Sequence, residues 1–88
     1  MRINEGFELM DVCGEMVVVA LGKKNINFSK IISLNESAAY LWKKVVGEDF
    51  DAQRLAQLLT EEYDVDMDTA LIDAQRTMDD WKQAGLAE

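Results

Sequence analysis

The sequence predicts an α+β fold, a three-stranded antiparallel sheet followed by three helices. Three observations carry this reading. Short runs such as Glu15 to Leu21 are rich in valine and are broken by glycine and polar residues, which suits strands. The preference then changes sharply at Asn35: Ile31-Ile32-Ser33-Leu34 favours a strand, and everything from Glu36 favours a helix. Beyond that join, Asn35, Asp51 and Asp66 each stand before an apolar stripe of helical period, where a side-chain acceptor caps free backbone N–H groups.

The elements follow in order. Phe7 to Val12 alternates apolar and polar residues at its start and reads as the first strand. Cys13-Gly14 is a turn, with the glycine free to take positive φ. Glu15 to Leu21 is a second, more buried strand, and Gly22-Lys23-Lys24-Asn25 a polar loop. Ile31 to Leu34 is a short third strand, with Asn27 to Lys30 either leading into it or looping. A sheet this small needs a helical layer on one face.

Asn35 caps the first helix, where Ala38, Leu41, Trp42 and Val45 form one stripe that ends at Gly47. Trp42 reads as the large core residue pinning this helix to the sheet. Asp51 caps a second helix with Leu55, Leu58 and Leu59 on its buried side, closing at Tyr63. Asp66 caps the third and longest, which stops at Gly85 in the C′ position, with Leu86 supplying the apolar contact that follows such a cap. On a wheel of about 100° per residue, Met67, Ala70, Leu71, Ala74, Met78 and Trp81 form the core arc. Ile72 falls outside it, among Gln75, Arg76 and Asp79, and marks a candidate second contact surface.

Length and composition set the bounds. Eighty-eight residues predict one domain over 1–88, and an apolar fraction of 49% is that of a globular chain. The longest apolar run, Met16 to Leu21, is far short of the roughly 20 residues needed to span a bilayer, so no membrane partner is expected. The first residues hold no run suited to a signal peptide, which gives a cytoplasmic expectation. Cys13 is the only cysteine and reads as a small residue in a turn.

Charge is uneven. Residues 1–50 carry seven acidic and six basic side chains, and residues 51–88 carry ten acidic and three basic, giving the net charge of −8. The second half should repel nucleic acid, because phosphate binding needs clustered Lys and Arg.

Catalytic groups are missing from the sequence. With no histidine and one cysteine, nucleophile–His pairs and His or four-Cys metal sites are excluded. Asp64-Val65-Asp66-Met67-Asp68 opens like a calcium loop, but Thr69 stands where glycine is needed and Gln75 where glutamate is needed. It reads as a capped helix start. The expectation is a protein that is not an enzyme, with no metal and no cofactor.

Strands leading into three helices are a winged helix-turn-helix-like layout. Many such domains read DNA with one helix. Here that helix would carry Asp68, Asp73, Asp79 and Asp80 against Arg76 and Lys82, which disfavours every nearby phosphate.

Leu34-Asn35-Glu36, Ala38-Ala39, Leu41-Trp42 and Gly47 resemble the L-N-E-x-A-x-x-I/L-W signature of the PqqD family. Leu55-Ala56-Gln57-Leu58-Leu59 with Glu61-Glu62-Tyr63-Asp64 resembles that family's second helix, and Trp81-Lys82-Gln83-Ala84-Gly85-Leu86 its ending. The resemblance runs from about residue 9 to 87. Thr77 and the polar stretch 22–30 depart from the pattern.

The resemblance implies a RiPP recognition element, a peptide chaperone that holds the leader of a ribosomally made precursor peptide and presents it to a modifying enzyme, often a radical S-adenosylmethionine enzyme. It implies that the leader adds as a strand beside the third strand, in a groove walled by the third helix. An unpaired strand edge supports this physically, because its free N–H and C=O groups give affinity and side-chain pockets give selectivity. The expected peptide site is Lys30, Ile31, Ile32 and Ser33 with Ile72, Gln75 and Asp79; the wheel also allows the other flank, near Asp73 and Thr77. Leu34, Asn35, Leu41, Trp42, Leu71, Met78, Trp81 and Gly85 read as scaffold. The alternative is an assembly module, such as a homodimer using its sheet edge or exposed apolar surface.

Overall fold

The computed structural model describes residues 1–21 and 26–88, the side chains of 21 and 26–30 excepted. Three strands, β1 (Phe7–Val12), β2 (Glu15–Leu21) and β3 (Ile26–Leu34), precede three helices, α1 (Glu36–Val45), α2 (Ala52–Glu62) and α3 (Met67–Gln83). The sheet is antiparallel in the order β1-β2-β3, so β2 is central and β3 lies at an edge.

The β1–β2 turn is set by its two central residues. Cys13 and Gly14 have φ of 55° and 85°, the paired positive values of a tight hairpin whose twist matches its strands. Asp11 Oδ1 accepts the Gly14 N–H at 3.0 Å and fixes the turn. Val12 then faces Glu15, and the register runs without a slip to Phe7 opposite Ala20.

The third strand differs from its expected length. It begins at Ile26 rather than Ile31, because Leu21 and Ala20 of β2 offer partners to Ile26 and Asn27. The register shifts between Val18 and Ala20, where β3 carries more residues than β2 opposes. A pairing made across the sheet overrides the polar local sequence. The expected loop at 22–25 lies outside the described residues.

Each helix starts as the sequence predicts. Asn35 Oδ1 accepts from the Ala38 N–H at 2.8 Å, Asp51 Oδ1 from that of Arg54 at 2.8 Å, and Asp66 Oδ1 from that of Thr69 at 2.7 Å. The end of α3 is a Schellman motif. Gly85 sits at φ 78°, its N–H bonds to the Lys82 carbonyl, and the Leu86 N–H reaches back to the Trp81 carbonyl at 2.8 Å. Leu86 is thereby driven into the core at 1% exposure.

The core lies between the helices and one face of the sheet. Val18, Leu41, Val45, Leu55 and Leu86 are its largest fully buried aliphatic residues. Trp42 meets Trp81 edge to face, with ring centroids 5.4 Å apart, and Phe50 meets Trp81 likewise at 5.9 Å. Leu34, Leu71 and Met78 pack against this cluster while partly exposed. Met67 does not belong to it, in contrast to the wheel, and is 46% exposed. A wheel gives direction around the axis and not distance along it: Met67, at the first position of α3, stands clear of the core, while Ala70 three residues on is fully buried.

Among the described residues no helix lies on the opposite face of the sheet. Met10 and Val12 of β1, Val17 and Val19 of β2, and Ile31 and Ser33 of β3 share it by register and alternation.

Residues 1–4 close the fold. Ile3 bridges to Ala87, Arg2 exchanges two backbone hydrogen bonds with Glu88, and Asn4 donates to the Leu86 carbonyl. Ile3 and Ala87 are buried. Among the described residues no helix is long and apolar enough to cross a membrane.

Candidate functional site

A groove runs between the end of β3 and α3. It measures about 430 Å³ and is half open. Ile32, Ser33 and Leu34 form the strand wall, Ser37 and Ala38 at the start of α1 close one end, and Asp73, Arg76, Thr77, Asp80 and Ala84 form the helix wall. Trp81 and Leu86 make an apolar floor.

The geometry follows from Asn35. Its cap turns the chain out of β3 directly into α1, so Ser37 and Ala38 sit at the mouth of the strand edge. Among the described residues, no strand pairs with the outer edge of β3. In an antiparallel strand alternate residues point their N–H and C=O groups away from the neighbour, so β3 presents unused backbone groups toward the groove.

The expected site residues divide. Ile32 and Ser33 line the groove. The backbone of Lys30 lies in β3. Ile31 is 45% exposed and belongs by alternation to the opposite face of the sheet. The groove does not include Ile72, Gln75 or Asp79. Ile72 is 62% exposed, and Gln75 Nε2 donates to Asp79 Oδ1 at 3.1 Å along the outside of α3.

The physical reason is the position of Trp81. On the wheel the core arc has two flanks, one beside Leu71 and Met78 and the other beside Ala70 and Trp81. The groove opens on the Trp81 side, which carries Asp73, Thr77, Asp80 and Ala84 at helical spacing. The short Thr77 and Ala84 leave room there, and this is the signal that a sequence reading could have used.

The wall is charged but uncommitted. Among the described residues the ion pairs are Arg54 with Glu48 at 3.4 Å and Arg2 with Asp49 at 3.9 Å, and neither involves Asp73, Arg76 or Asp80. Thr77, in the groove lining, donates its Oγ1 hydrogen to the Asp73 carbonyl at 2.9 Å. Among the described residues no cluster of side chains could hold a metal ion.

A second hollow of about 530 Å³ lies on the far side of α1, between Met16, Tyr40 and Tyr63. The two tyrosines meet edge to face at 5.9 Å. Burial, then the charges of Glu36 and Glu62 and the Tyr40 hydroxyl, push the Tyr63 hydroxyl above the ordinary tyrosine range. Asp66 moves the other way: its hydrogen bonds with Thr69 hold its carboxyl below the usual carboxylate range.

Comparison with known proteins adds two findings. The family model described as "Coenzyme PQQ synthesis protein D (PqqD)" matches residues 15–87. A solved structure described as "TbiB1 in Complex with the TbiA(beta) Leader Peptide" shares the fold with a TM-score of 0.72 at 18% identity, over 100% of this chain and 95% of that one. No curated protein matches the chain.

Proposed function

The chain belongs to the PqqD family, and on that premise we propose that it is a non-catalytic module that binds the leader of a ribosomally made precursor peptide and presents it to a modifying enzyme. The observation that carries the reading is the unpaired edge of β3 facing α3 across a groove with an apolar floor. The structurally similar TbiB1 is described in complex with a leader peptide, which supports the same class of ligand here.

The energetics ask for two kinds of contact. Each backbone hydrogen bond contributes a net of about 0.5–1.5 kcal/mol, so a handful contributes a few kcal/mol. Association costs at least about 4 kcal/mol in lost translation and rotation. Backbone pairing alone therefore gives weak binding, and the leader needs an apolar side chain seated on Trp81, Leu86 and Ile32. Burying one such residue adds about 1.5–3 kcal/mol. Asp73 and Asp80 favour a Lys or Arg in the leader, and Arg76 between them gives an acidic residue one position to meet. The peptide thus pairs with the backbone of Lys30 to Ser33 and rests on the Asp73–Ala84 flank of α3.

In this reading the modifying partner is a radical S-adenosylmethionine enzyme, the class that the family resemblance implies. The test is an NMR titration with the precursor peptide of the same biosynthetic cluster. Amide shifts should concentrate at 31–38 and at 73–86. Shifts confined to β1 and β2, or none, would sink the reading.

A further inference from the structure

The outer face of the sheet presents apolar side chains, and among the described residues no helix packs on it. Met10, Val12 and Ile31 are 36%, 48% and 45% exposed, and Val17 and Val19 lie between their strands at 5% and 2%, outside the core cluster. Exposed apolar side chains gathered on one face of a sheet mark a contact site more often than scattered ones do.

Its rim is acidic. Between Ile3 and Leu21 the chain carries Glu5, Glu8, Asp11 and Glu15, all exposed, and no Lys or Arg. Glu8 pairs with Val19 and Glu15 with Val12, so both glutamates stand on this face beside the apolar residues. Two copies placed face to face would bring like charges together, in a chain whose net charge is already −8. A partner with an apolar patch ringed by Lys and Arg meets the same surface with favourable charge.

The face is also continuous with the peptide edge. A strand added to β3 extends the sheet, and every second side chain of that strand stands on the outer face beside Ile31 and Ser33. We propose that the outer face of the sheet is the docking surface for the enzyme that modifies the peptide, engaged through an apolar patch with a basic rim on that enzyme. This rests on the leader-binding reading. The enzyme then touches chain and peptide together, so it binds the loaded complex more tightly than the free chain.

The test uses the full chain with the purified precursor peptide and modifying enzyme of the same cluster. Fluorescence anisotropy of labelled peptide reads the groove, and calorimetry of the enzyme with the peptide-loaded chain reads the face. Met10→Glu with Val12→Glu should leave peptide affinity within about twofold and weaken enzyme binding more than about tenfold. Glu8→Lys with Glu15→Lys, which removes no apolar contact, should weaken it as well and reduce its salt dependence. Circular dichroism melting confirms that each variant is folded, and Met10→Ser replaces any that is not. Unchanged enzyme affinity in folded variants that still bind peptide overturns the docking surface alone. Failure of the unaltered chain to bind peptide overturns the leader reading instead. Concentration-dependent self-association of the unaltered chain, abolished by the same variants, gives the face to a second copy and overturns the proposal.

Discussion

Trp42 shows how one side chain organises its neighbours. It is 2% exposed, meets Trp81 edge to face and holds α1 over the sheet. Trp42→Ala should cost roughly 3–5 kcal/mol, measured by chemical denaturation; a loss below about 1 kcal/mol would mean the site collapses around the gap and the ring is not the pin. Asn35→Ala removes a cap from exposed surface and should cost about 1 kcal/mol. Tyr63 gives a prediction in pH. Its folded-state pKa lies above the unfolded value, so its contribution is complete below the ordinary tyrosine pKa and is lost as pH rises through the folded one. In an ultraviolet titration one tyrosine should ionise late, and Glu62→Gln should bring it earlier. Asp66 has the opposite sign: its cap stabilises α3 above the unfolded carboxylate pKa and is lost as pH falls through the lowered one. Much at this scale was readable in advance. Capping depends on a few consecutive residues, so Asn35, Asp51, Asp66 and Gly85 declare themselves.

Helix α3 marks where reading a sequence stops. Its period identifies the stripe of Ala70, Ala74 and Trp81, and these are buried. The same period cannot say which flank of the stripe faces the open strand, since that depends on how the helix is laid across a sheet elsewhere in the chain. Ile72 drew attention as an apolar residue off the core, whereas the groove is walled by the small and charged residues of the other flank. β3 teaches a related lesson, because Ile26 and Asn27 join it through partners in β2 and not through their own preference. The groove gives a direct prediction. Thr77→Trp fills the helix wall from a half-buried position and should lower peptide affinity more than about tenfold with little change in melting temperature, while Ile72→Ala should leave that affinity unaltered. Anisotropy with labelled precursor peptide separates the two flanks.

Across the whole molecule, charge decides what stays away. The acidic surplus of residues 51–88 surrounds the groove helix, so duplex DNA should show no measurable binding at physiological salt. A micromolar, salt-sensitive anisotropy signal would contradict this. The closure of residues 1–4 onto 86–88 was not legible, because its apolar content on the first side is only Met1 and Ile3 and its bonds run between backbones far apart in the sequence. Ile3→Ala should therefore cost about 2–5 kcal/mol by denaturation, a core-sized loss from a position that reads as a tail. The two backbone bonds between Arg2 and Glu88 carry a further consequence for the unfolded chain. Folding must bring residues 2 and 88 together, and the entropy lost in closing so long a loop opposes it. A short linker joining residue 88 to residue 1 would settle that cost before folding begins. The circular protein should keep its groove and its peptide affinity while melting higher, with a gain bounded at roughly 4–5 kcal/mol.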